Sequence, residues 1–206
     1  MILETLVVGP LEVNCYILAS QENSGALLID PGEAAPQIRR MLDAHGLTPT
    51  MVINTHGHYD HIGCDDVFGV SVVIHSADSR MLKDPRGNLS ALFSLPYQVN
   101  AAIREVKEGD RITLEDIQLE VLHIPGHTPG GMALVMRSPR TDIVFTGDSL
   151  FCQGIGRTDL EGSSHAQLVD AITQKLLTLP DETVVYPGHG PASTIGSEKK
   201  HNPFFL

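Results

Sequence analysis

The sequence is poor in aromatic and basic side chains, and its 206 residues include no tryptophan. Aromatic residues make up 5% of the chain, and 14 Lys and Arg stand against 25 Asp and Glu, which gives a formal net charge of -11. A nucleic-acid-binding protein normally carries a basic face that neutralises phosphates. We therefore expect no nucleic acid among the partners of this chain.

Cysteines and long apolar runs are also scarce. Cys15, Cys64 and Cys152 are too few and too widely spaced for a disulfide framework, which suits a reducing compartment. We interpret Cys64 and Cys152 as packing residues, since cysteine is often buried. No apolar run approaches the ~20 residues that span a bilayer, and the first residues do not resemble a signal peptide. We expect a cytoplasmic protein with no membrane partner.

The chain does contain many short apolar runs separated by turn signals. Three strand-like runs come first, and the segment 34–46 then has the apolar spacing of an amphipathic helix. Further helices are predicted over 76–82 and over 163–179, the second capped by Ser163 or Ser164. Strand-like runs dominate the remainder. This pattern predicts an α/β or α+β protein built from layered sheets.

Two further segments, 83–101 and 183–190, are predicted to be a loop and a strand. Residues 83–101 are irregular and contain Pro85, Gly87 and Pro96, so we expect a loop that is mobile or faces the substrate. The segment 183–190, with the sequence TVVYPGHG, is predicted to form the last strand.

Five of the predicted strands each end in a loop that opens with His or Asp. In layered α/β proteins, binding sites form where the carboxyl ends of strands gather. The sequence therefore predicts one rim lined by nitrogen and oxygen ligands. The residues at these strand ends are Asp30, His56, His58, Asp60, His61, His127, Asp148 and His189.

The spacing within the histidine-rich loop suits two neighbouring metal ions better than one. His56 and His58 are two residues apart, so in an extended loop they project to the same side, whereas Asp60 and His61 are adjacent and project differently. Imidazole and carboxylate groups bind Zn²⁺ at about 2.0–2.2 Å, and a catalytic site keeps one position open for water. Two ions about 3.5–4 Å apart can share a bridging carboxylate and a bridging hydroxide.

Five motifs resemble the metallo-β-lactamase superfamily, and they occur in the family's order over nearly the whole chain. They are THGHYDH, PGHTPGG, FTGDSLF, GIGRTDL and YPGHGPASTIG. Within the superfamily, the chain is most similar to the glyoxalase II-like, or hydroxyacylglutathione hydrolase-like, group. The resemblance implies an α/β fold, a four-layer αβ/βα sandwich of two mixed β-sheets flanked by helices. It also implies a single domain over residues 1–206, without the C-terminal helical domain of long glyoxalase II enzymes.

The resemblance further implies which residues hold the metals. The first ion would be bound by His56, His58 and His127, the second by Asp60, His61 and His189, with Asp148 as the bridging ligand. Asp30 matches a family position that supports the ligands from behind. The cofactor is expected to be two divalent ions, with zinc as the first candidate. Iron and manganese accept the same ligand types.

The implied activity is hydrolysis of an ester bond by a metal-bound hydroxide. Metals lower the pKa of bound water towards about 7, so no Ser or Cys nucleophile is needed, and a metal stabilises the oxyanion. Asp60 is the candidate catalytic residue, because it can orient the hydroxide while it binds metal. The implied substrate is a small-molecule thioester such as S-lactoylglutathione. Apolar Met132 and Leu134, where the family commonly has aromatic or polar residues, favour a shallower and less selective thioester site.

Other activities remain open at this stage. A mononuclear iron persulfide dioxygenase on the same scaffold would use His56, His127 and Asp148 as a facial triad. A β-lactam hydrolase, a nuclease and a non-catalytic metal-binding module are less favoured. Arg157 could bind a substrate carboxylate, but the favoured interpretation is an ion pair with Asp159 that braces its loop.

Overall fold

The computed structural model describes all residues from Met1 to Leu206 and contains two six-stranded β-sheets. The first sheet has the strand order β1-β2-β3-β4-β5-β6 and is antiparallel from β1 to β3 and parallel from β3 to β6. Its strands are β1 (Ile2–Val8), β2 (Val13–Ala19), β3 (Gly25–Ile29), β4 (Thr48–Ile53), β5 (Ser71–His75) and β6 (Ile103–Val106).

The second sheet is mixed as well, because β10 and β13 run parallel while its other pairs are antiparallel. Its order is β14-β13-β10-β9-β8-β7, and β11 and β12 form a separate small hairpin. The strands are β7 (Arg111–Leu114), β8 (Ile117–His123), β9 (Met132–Ser138), β10 (Ile143–Gly147), β11 (Leu150–Phe151), β12 (Gly154–Ile155), β13 (Val184–Pro187) and β14 (Ser193–Thr194).

Four α-helices accompany the sheets: α1 (Ala35–Ala44), α2 (Tyr59–Ile62), α3 (His165–Ala171) and α4 (Ile195–His201). A π-helical turn, Ile172–Leu176, extends α3. Ser164 caps α3, as predicted, by accepting a hydrogen bond from the backbone of Gln167. No helix has both the length and the apolar character needed to cross a bilayer.

Three apolar clusters lie between the layers of helices and sheets, and β2 contributes residues to two of them. All seven residues of β2 are buried, so both of its faces are covered. Tyr16 and Leu18 point into the cluster between the two sheets, whereas Cys15 and Ile17 belong to the cluster under α1. A third cluster lies between the second sheet and α3. The layer order is therefore helix, sheet, sheet, helix, and the predicted αβ/βα sandwich is confirmed.

The predicted helix over 76–82 is wrong. The structure has turns there, followed by a single 3-10 turn at Met81–Lys83. The carboxylate of Asp78 accepts hydrogen bonds from three groups in other loops, and Met81 bonds to the carbonyl of Asp78 with 3-10 rather than α spacing. Pro85 also disfavours helical backbone at the residue before it.

The segment 183–190 does contain a strand, β13, but the prediction that this strand is the last one is wrong. The two-residue strand β14 pairs with β13, and α4 follows it directly. A two-residue strand has too few residues to show an alternation, and Ile195 is the one large apolar residue within α4. The N-terminus of this helix is fixed instead by Thr194, whose hydroxyl accepts from the backbone of Ser197 at 3.2 Å.

Candidate metal centre

The structure brings the eight strand-end residues together at one edge of the sandwich. Asp30 follows β3, and the loop of His56 to His61 follows β4, both in the first sheet. His127, Asp148 and His189 follow β8, β10 and β13 of the second sheet. The cluster therefore spans both sheets at the carboxyl ends of their strands, where layered α/β proteins form binding sites.

Asp148 lies at the centre of this cluster. One of its carboxylate oxygens is 3.4 Å from Nε2 of His61, and the other is 3.6 Å from Nε2 of both His127 and His189. Around it, three groups have ligand atoms close enough to share one ion. These groups are His56, His58 and His127; His56, His61 and Asp148; and Asp60, His61 and His189.

Several ligand atoms in the cluster have no protein partner. Nε2 of His56, Nε2 of His61 and Oδ1 of Asp148 are buried without a hydrogen bond. A buried polar atom left unsatisfied costs about 1–3 kcal/mol, so three of them converging on one place need an explanation. Divalent cations bound by these atoms would satisfy all three. The donor set of imidazole nitrogens and carboxylate oxygens fits zinc, iron or manganese.

The electrostatics of the cluster favour cation binding. Burial and neighbouring histidines lower the pKa of both His56 and His58, the latter to about 3, so these rings are neutral. Burial opposes ionisation of Asp60, but His61 and His189 hold its pKa well below the usual range. Neutral imidazoles and an ionised carboxylate are the forms that bind metal.

His61 behaves differently from His56 and His58. Burial alone would lower the pKa of His61, but Asp148, Asp60 and Asp30 outweigh burial and raise that pKa to about 10. A cation that binds Nε2 would therefore replace a proton.

Asp30 supports the cluster from behind. Its carboxylate accepts hydrogen bonds from the backbone N–H and the hydroxyl of Thr55, both at 2.7 Å, and lies 3.0 Å from Nδ1 of His61. The Thr55 hydroxyl lies 3.2 Å from Nδ1 of His56. Partners on the far nitrogen of a ligating histidine fix the orientation of the ring. The role that the resemblance implies for Asp30 stays a prediction, and these contacts with Thr55 and His61 support it.

Backbone carbonyls position His127 and the loop that carries His189. Nδ1 of His127 is 2.9 Å from the carbonyl of Arg157, which leaves Nε2 directed at Asp148. The loop that carries His189 is fixed by Asn14 and Tyr16, which both donate to the carbonyl of Pro187, at 3.0 and 2.6 Å. The second strand of the first sheet thus holds a loop of the second sheet.

Asp78 is a buried residue of the site that the sequence did not identify. Its carboxylate accepts from the backbone of Gly57 at 3.1 Å, from the Thr128 hydroxyl at 2.7 Å and from the backbone of Gly130 at 2.5 Å. Gly57 lies between two histidines of the cluster, and Thr128 follows His127. One carboxylate therefore clamps two ligand loops together. The sequence carries no clear sign of this role, because Asp78 lies in the segment 76–82 that the sequence predicts to be a helix.

A cleft of about 390 Å³ opens onto the cluster. His58, Asp60, His127, Asp148 and His189 line its floor. The walls are mostly apolar and include Leu11, Tyr59, Leu89, Leu92, Phe93 and Leu160, together with Arg157. Three of these wall residues come from the segment 83–101, so that segment faces the cleft.

Four further side chains lie in or near the site loops: Tyr59, Cys64, Cys152 and Arg157. The predicted ion pair of Arg157 with Asp159 is present, with two contacts of 2.7 and 2.9 Å, although both side chains are largely exposed and such pairs contribute little to stability. The Tyr59 ring packs near Phe93 and Tyr97, with centroids 6.2 and 5.6 Å away. Cys64 is buried, in keeping with packing, whereas Cys152 is only partly buried.

Comparison with known proteins agrees with this fold. The model of the metallo-beta-lactamase superfamily matches residues 8–189, and the chain belongs to this superfamily. It is 37% identical to a probable metallo-hydrolase, YqgX, of Bacillus subtilis, over 96% of this chain and 94% of that protein. It is 33% identical to the hydroxyacylglutathione hydrolase GloC of Haemophilus influenzae, over 99% of this chain and 98% of that protein.

Solved structures give the same picture. The B3 metallo-beta-lactamase BLEG-1 superimposes with a TM-score of 0.91 at 34% identity, and the match covers 100% of both chains. A protein crystallised in a di-iron-bound form superimposes with a TM-score of 0.81 at 33% identity, over 98% of this chain and 99% of that one. Superfamily membership and the His/Asp cluster agree on a metallo-hydrolase scaffold that is compatible with divalent metal.

Proposed function

We propose that this protein is a binuclear metallohydrolase that cleaves small-molecule thioesters, with S-lactoylglutathione as the first substrate to test. The observation that carries the proposal is the cluster around Asp148, where buried ligand atoms without partners lie next to a cleft that Asp60, Asp148 and His189 line. The similarity to the hydroxyacylglutathione hydrolase GloC supports a thioester over other esters.

The proposed ligand set follows the two outer groups of the cluster. His56, His58 and His127 would hold one ion, Asp60, His61 and His189 the other, and Asp148 lies between the groups with one oxygen near His61 and the other near His127. When bound, two divalent ions would supply hydroxide at neutral pH and polarise the acyl carbonyl. We propose zinc first, with iron or manganese as alternatives.

The residues of the chain would position the reaction. Asp60 is ionised and borders the cleft, so its carboxylate can accept a hydrogen bond from the attacking water and orient it. Asp30 holds His61, and the Arg157 carbonyl holds His127, so both rings are orientated before substrate arrives. The apolar walls of the cleft exclude water from the acyl group, which strengthens electrostatic stabilisation within the site.

We also propose a cellular setting. Three cysteines without disulfide partners support a reducing compartment such as the cytoplasm. The charge of -11 supports a small-molecule partner rather than nucleic acid.

Substitution of cluster residues tests the proposal. Asp60→Asn and His61→Ala should each lower kcat/KM for S-lactoylglutathione at least about 100-fold, because oxyanion stabilisation and nucleophile supply are both lost. His201→Ala, an exposed histidine at the end of α4, is the matched control and should keep wild-type kcat/KM. Full activity of Asp60→Asn and His61→Ala, with circular dichroism unchanged, would show that the site is wrongly assigned.

β-Lactam hydrolysis is a second candidate, favoured by the match to BLEG-1 over the whole of both chains. The same cluster could act on the amide carbonyl of a β-lactam. Parallel assays with nitrocefin and with S-lactoylglutathione would separate the candidates. We expect the kcat/KM for the thioester to be higher, and a higher value for nitrocefin would favour the second candidate.

A further inference from the structure

Four large apolar side chains stand exposed beside the cleft. We name Leu11, Leu92, Phe93 and Leu95 the apolar lip; their exposed fractions are 45%, 75%, 50% and 57%. Leu11 lies in the turn between β1 and β2, and the others lie within the segment 83–101. Isolated exposed leucines are common, but a contiguous apolar patch next to a site marks a place where a ligand binds.

The base of the lip is fixed in place. Asn88 and Ser90 are fully buried; the Asn88 side chain donates to the carbonyl of Tyr97 at 3.0 Å, and the Ser90 hydroxyl accepts from the backbone of Tyr97 at 2.9 Å. Leu89 and Ser94 both have positive φ, of 68° and 58°, which is uncommon for residues other than glycine. Strained backbone of this kind persists where surrounding contacts over-determine it, often at ligand sites.

The lip continues the cleft away from the metal ligands. Leu11, Tyr59 and Phe93 line the cleft, and the same three residues line an adjoining hollow of about 160 Å³. Pro10, Glu33 and Leu95 complete the lining of this hollow. An apolar path therefore leads from the cluster, past Phe93, to Leu95. A group that starts at the cluster can follow this path and bury apolar surface at each step.

The charges around the cleft do not match a highly anionic thiol. Arg157 is the one Arg or Lys in its lining, and one edge of its guanidinium, with Nε and Nη2, already donates to Asp159. The adjoining hollow contains Glu33 and no basic residue. The surroundings of the cluster are thus apolar to weakly acidic.

We propose that the apolar lip binds an apolar chain of the thioester substrate and that this site selects such thioesters over those with short polar substituents. This inference rests on the proposed thioesterase function. In the reaction, the water oxygen bonds to the acyl carbon, the C–S bond breaks, and the products are a carboxylic acid and a thiol. The apolar chain can belong to the acyl part or to the thiol part of the substrate.

Two substrate series measure this preference and identify the end that carries the chain. In the first series, thioesters of N-acetylcysteamine carry acyl groups from acetyl to octanoyl. In the second series, the acyl group is always acetyl and the thiol part is an alkanethiol from ethanethiol to octanethiol. We expect kcat/KM to rise by about two- to fourfold per methylene in one series, since a fully buried methylene is worth about fourfold. A flat profile in both series would overturn the inference.

Matched variants test whether the lip is responsible. Phe93→Ala and Leu92→Ser should lower the octanoyl-to-acetyl ratio of kcat/KM (or the octyl-to-ethyl ratio) at least about tenfold. Phe204→Ala and Leu206→Ser change residues of similar exposure, 46% and 83%, that line neither the cleft nor the hollow, and should leave the ratio at its wild-type value. An unchanged ratio in the two lip variants would overturn the inference.

A binding measurement removes the dependence on turnover. Because the chain has no tryptophan, Phe93→Trp creates a single fluorescent reporter in the lip. A non-hydrolysable octyl thioether of N-acetylcysteamine should shift its emission to shorter wavelength, whereas the ethyl thioether should not, and Phe204→Trp should respond to neither. Absence of a shift in Phe93→Trp would contradict the inference.

The outcomes distinguish this inference from the proposed function. Hydrolysis of acetyl and lactoyl thioesters with no chain-length preference would refute the proposed role of the lip and leave the thioesterase proposal intact. Absence of turnover for every thioester in the metal-loaded protein would refute both.

Discussion

Single residues in this protein differ sharply in how readily the sequence revealed them. Asp148 could be identified because it directly follows the apolar strand β10, and His56 because it opens a run of four metal-binding side chains within six positions after β4. Asp78 follows β5 at a distance of three residues, and its partners Gly57 and Gly130 are 21 and 52 residues away along the chain. Its role depends on contacts that only the folded chain creates, so sequence alone could not predict it.

Loss of the clamp formed by Asp78 should weaken metal binding. Asp78→Asn replaces an oxygen that accepts hydrogen bonds by an NH₂ group that cannot, so the loops of His58 and His127 should separate. Loss of a partner behind metal ligands typically costs about 10–100-fold in metal affinity, and we expect a loss in this range. Competition titration with a chromophoric zinc chelator measures it. Asp43→Asn, on the exposed face of α1, is the control, and equal affinities in the two variants would contradict the clamp.

Secondary-structure elements were predictable where apolar residues repeat over five or more positions. The strands β1, β2 and β3 and the helix α1 agree with the predicted segments to within about two residues at each end. The helix predicted over 76–82 does not form, because the side chain of Asp78 accepts hydrogen bonds from distant loops. The short strand β14 was missed, because its pairing with β13 depends on the sheet rather than on its own two residues.

One contact between elements gives a prediction about acid stability. At the ends of β5 and β8, the rings of His75 and His123 stack with centroids 4.0 Å apart and planes 11° from parallel. Burial and then His123 lower the pKa of His75 to about 4; Lys175 acts in the same direction, and Glu108 opposes it. The unfolded chain therefore binds a proton at His75 below about pH 6.5, whereas the folded protein does so only near pH 4.

Stability should fall as the pH decreases through this window. Urea denaturation of metal-free protein at pH 7 and pH 5 measures the change in the free energy of unfolding. The decrease between pH 7 and pH 5 should be smaller for His75→Gln than for the wild type, because glutamine does not titrate. His165→Gln, on the exposed first turn of α3, should show the wild-type decrease. An identical pH dependence in all three proteins would contradict this account.

The whole molecule is connected through the cluster, because its residues come from the strand ends of both sheets. His56 and Asp60 follow the first sheet, and His127, Asp148 and His189 follow the second. An ion bound between them would link the two halves of the sandwich and stabilise the folded state by mass action. Metal binding and global stability are therefore expected to be coupled.

Removal of metal tests this coupling. At a metal concentration about 100 times Kd, binding contributes about 2.7 kcal/mol, which for a chain of this length corresponds to roughly 5–10 °C in Tm. Differential scanning calorimetry with and without a chelator should show this decrease. Re-added Zn²⁺ should restore Tm and Mg²⁺ should not, because Mg²⁺ prefers oxygen ligands. A Tm that does not respond to the chelator or to Zn²⁺ would contradict the coupling.

The most direct test of the central claim is a pair of titrations of metal-stripped protein, one with Zn²⁺ and one with Fe²⁺, in which bound metal, S-lactoylglutathione hydrolysis and oxygen uptake with glutathione persulfide are all measured. A binuclear thioesterase predicts that activity reaches its plateau at about two ions per chain, with no oxygen consumed. The contrary result is full occupancy by a single iron per chain, oxygen uptake with glutathione persulfide, and no thioester hydrolysis at any metal content. That result would assign the site to a mononuclear iron dioxygenase instead.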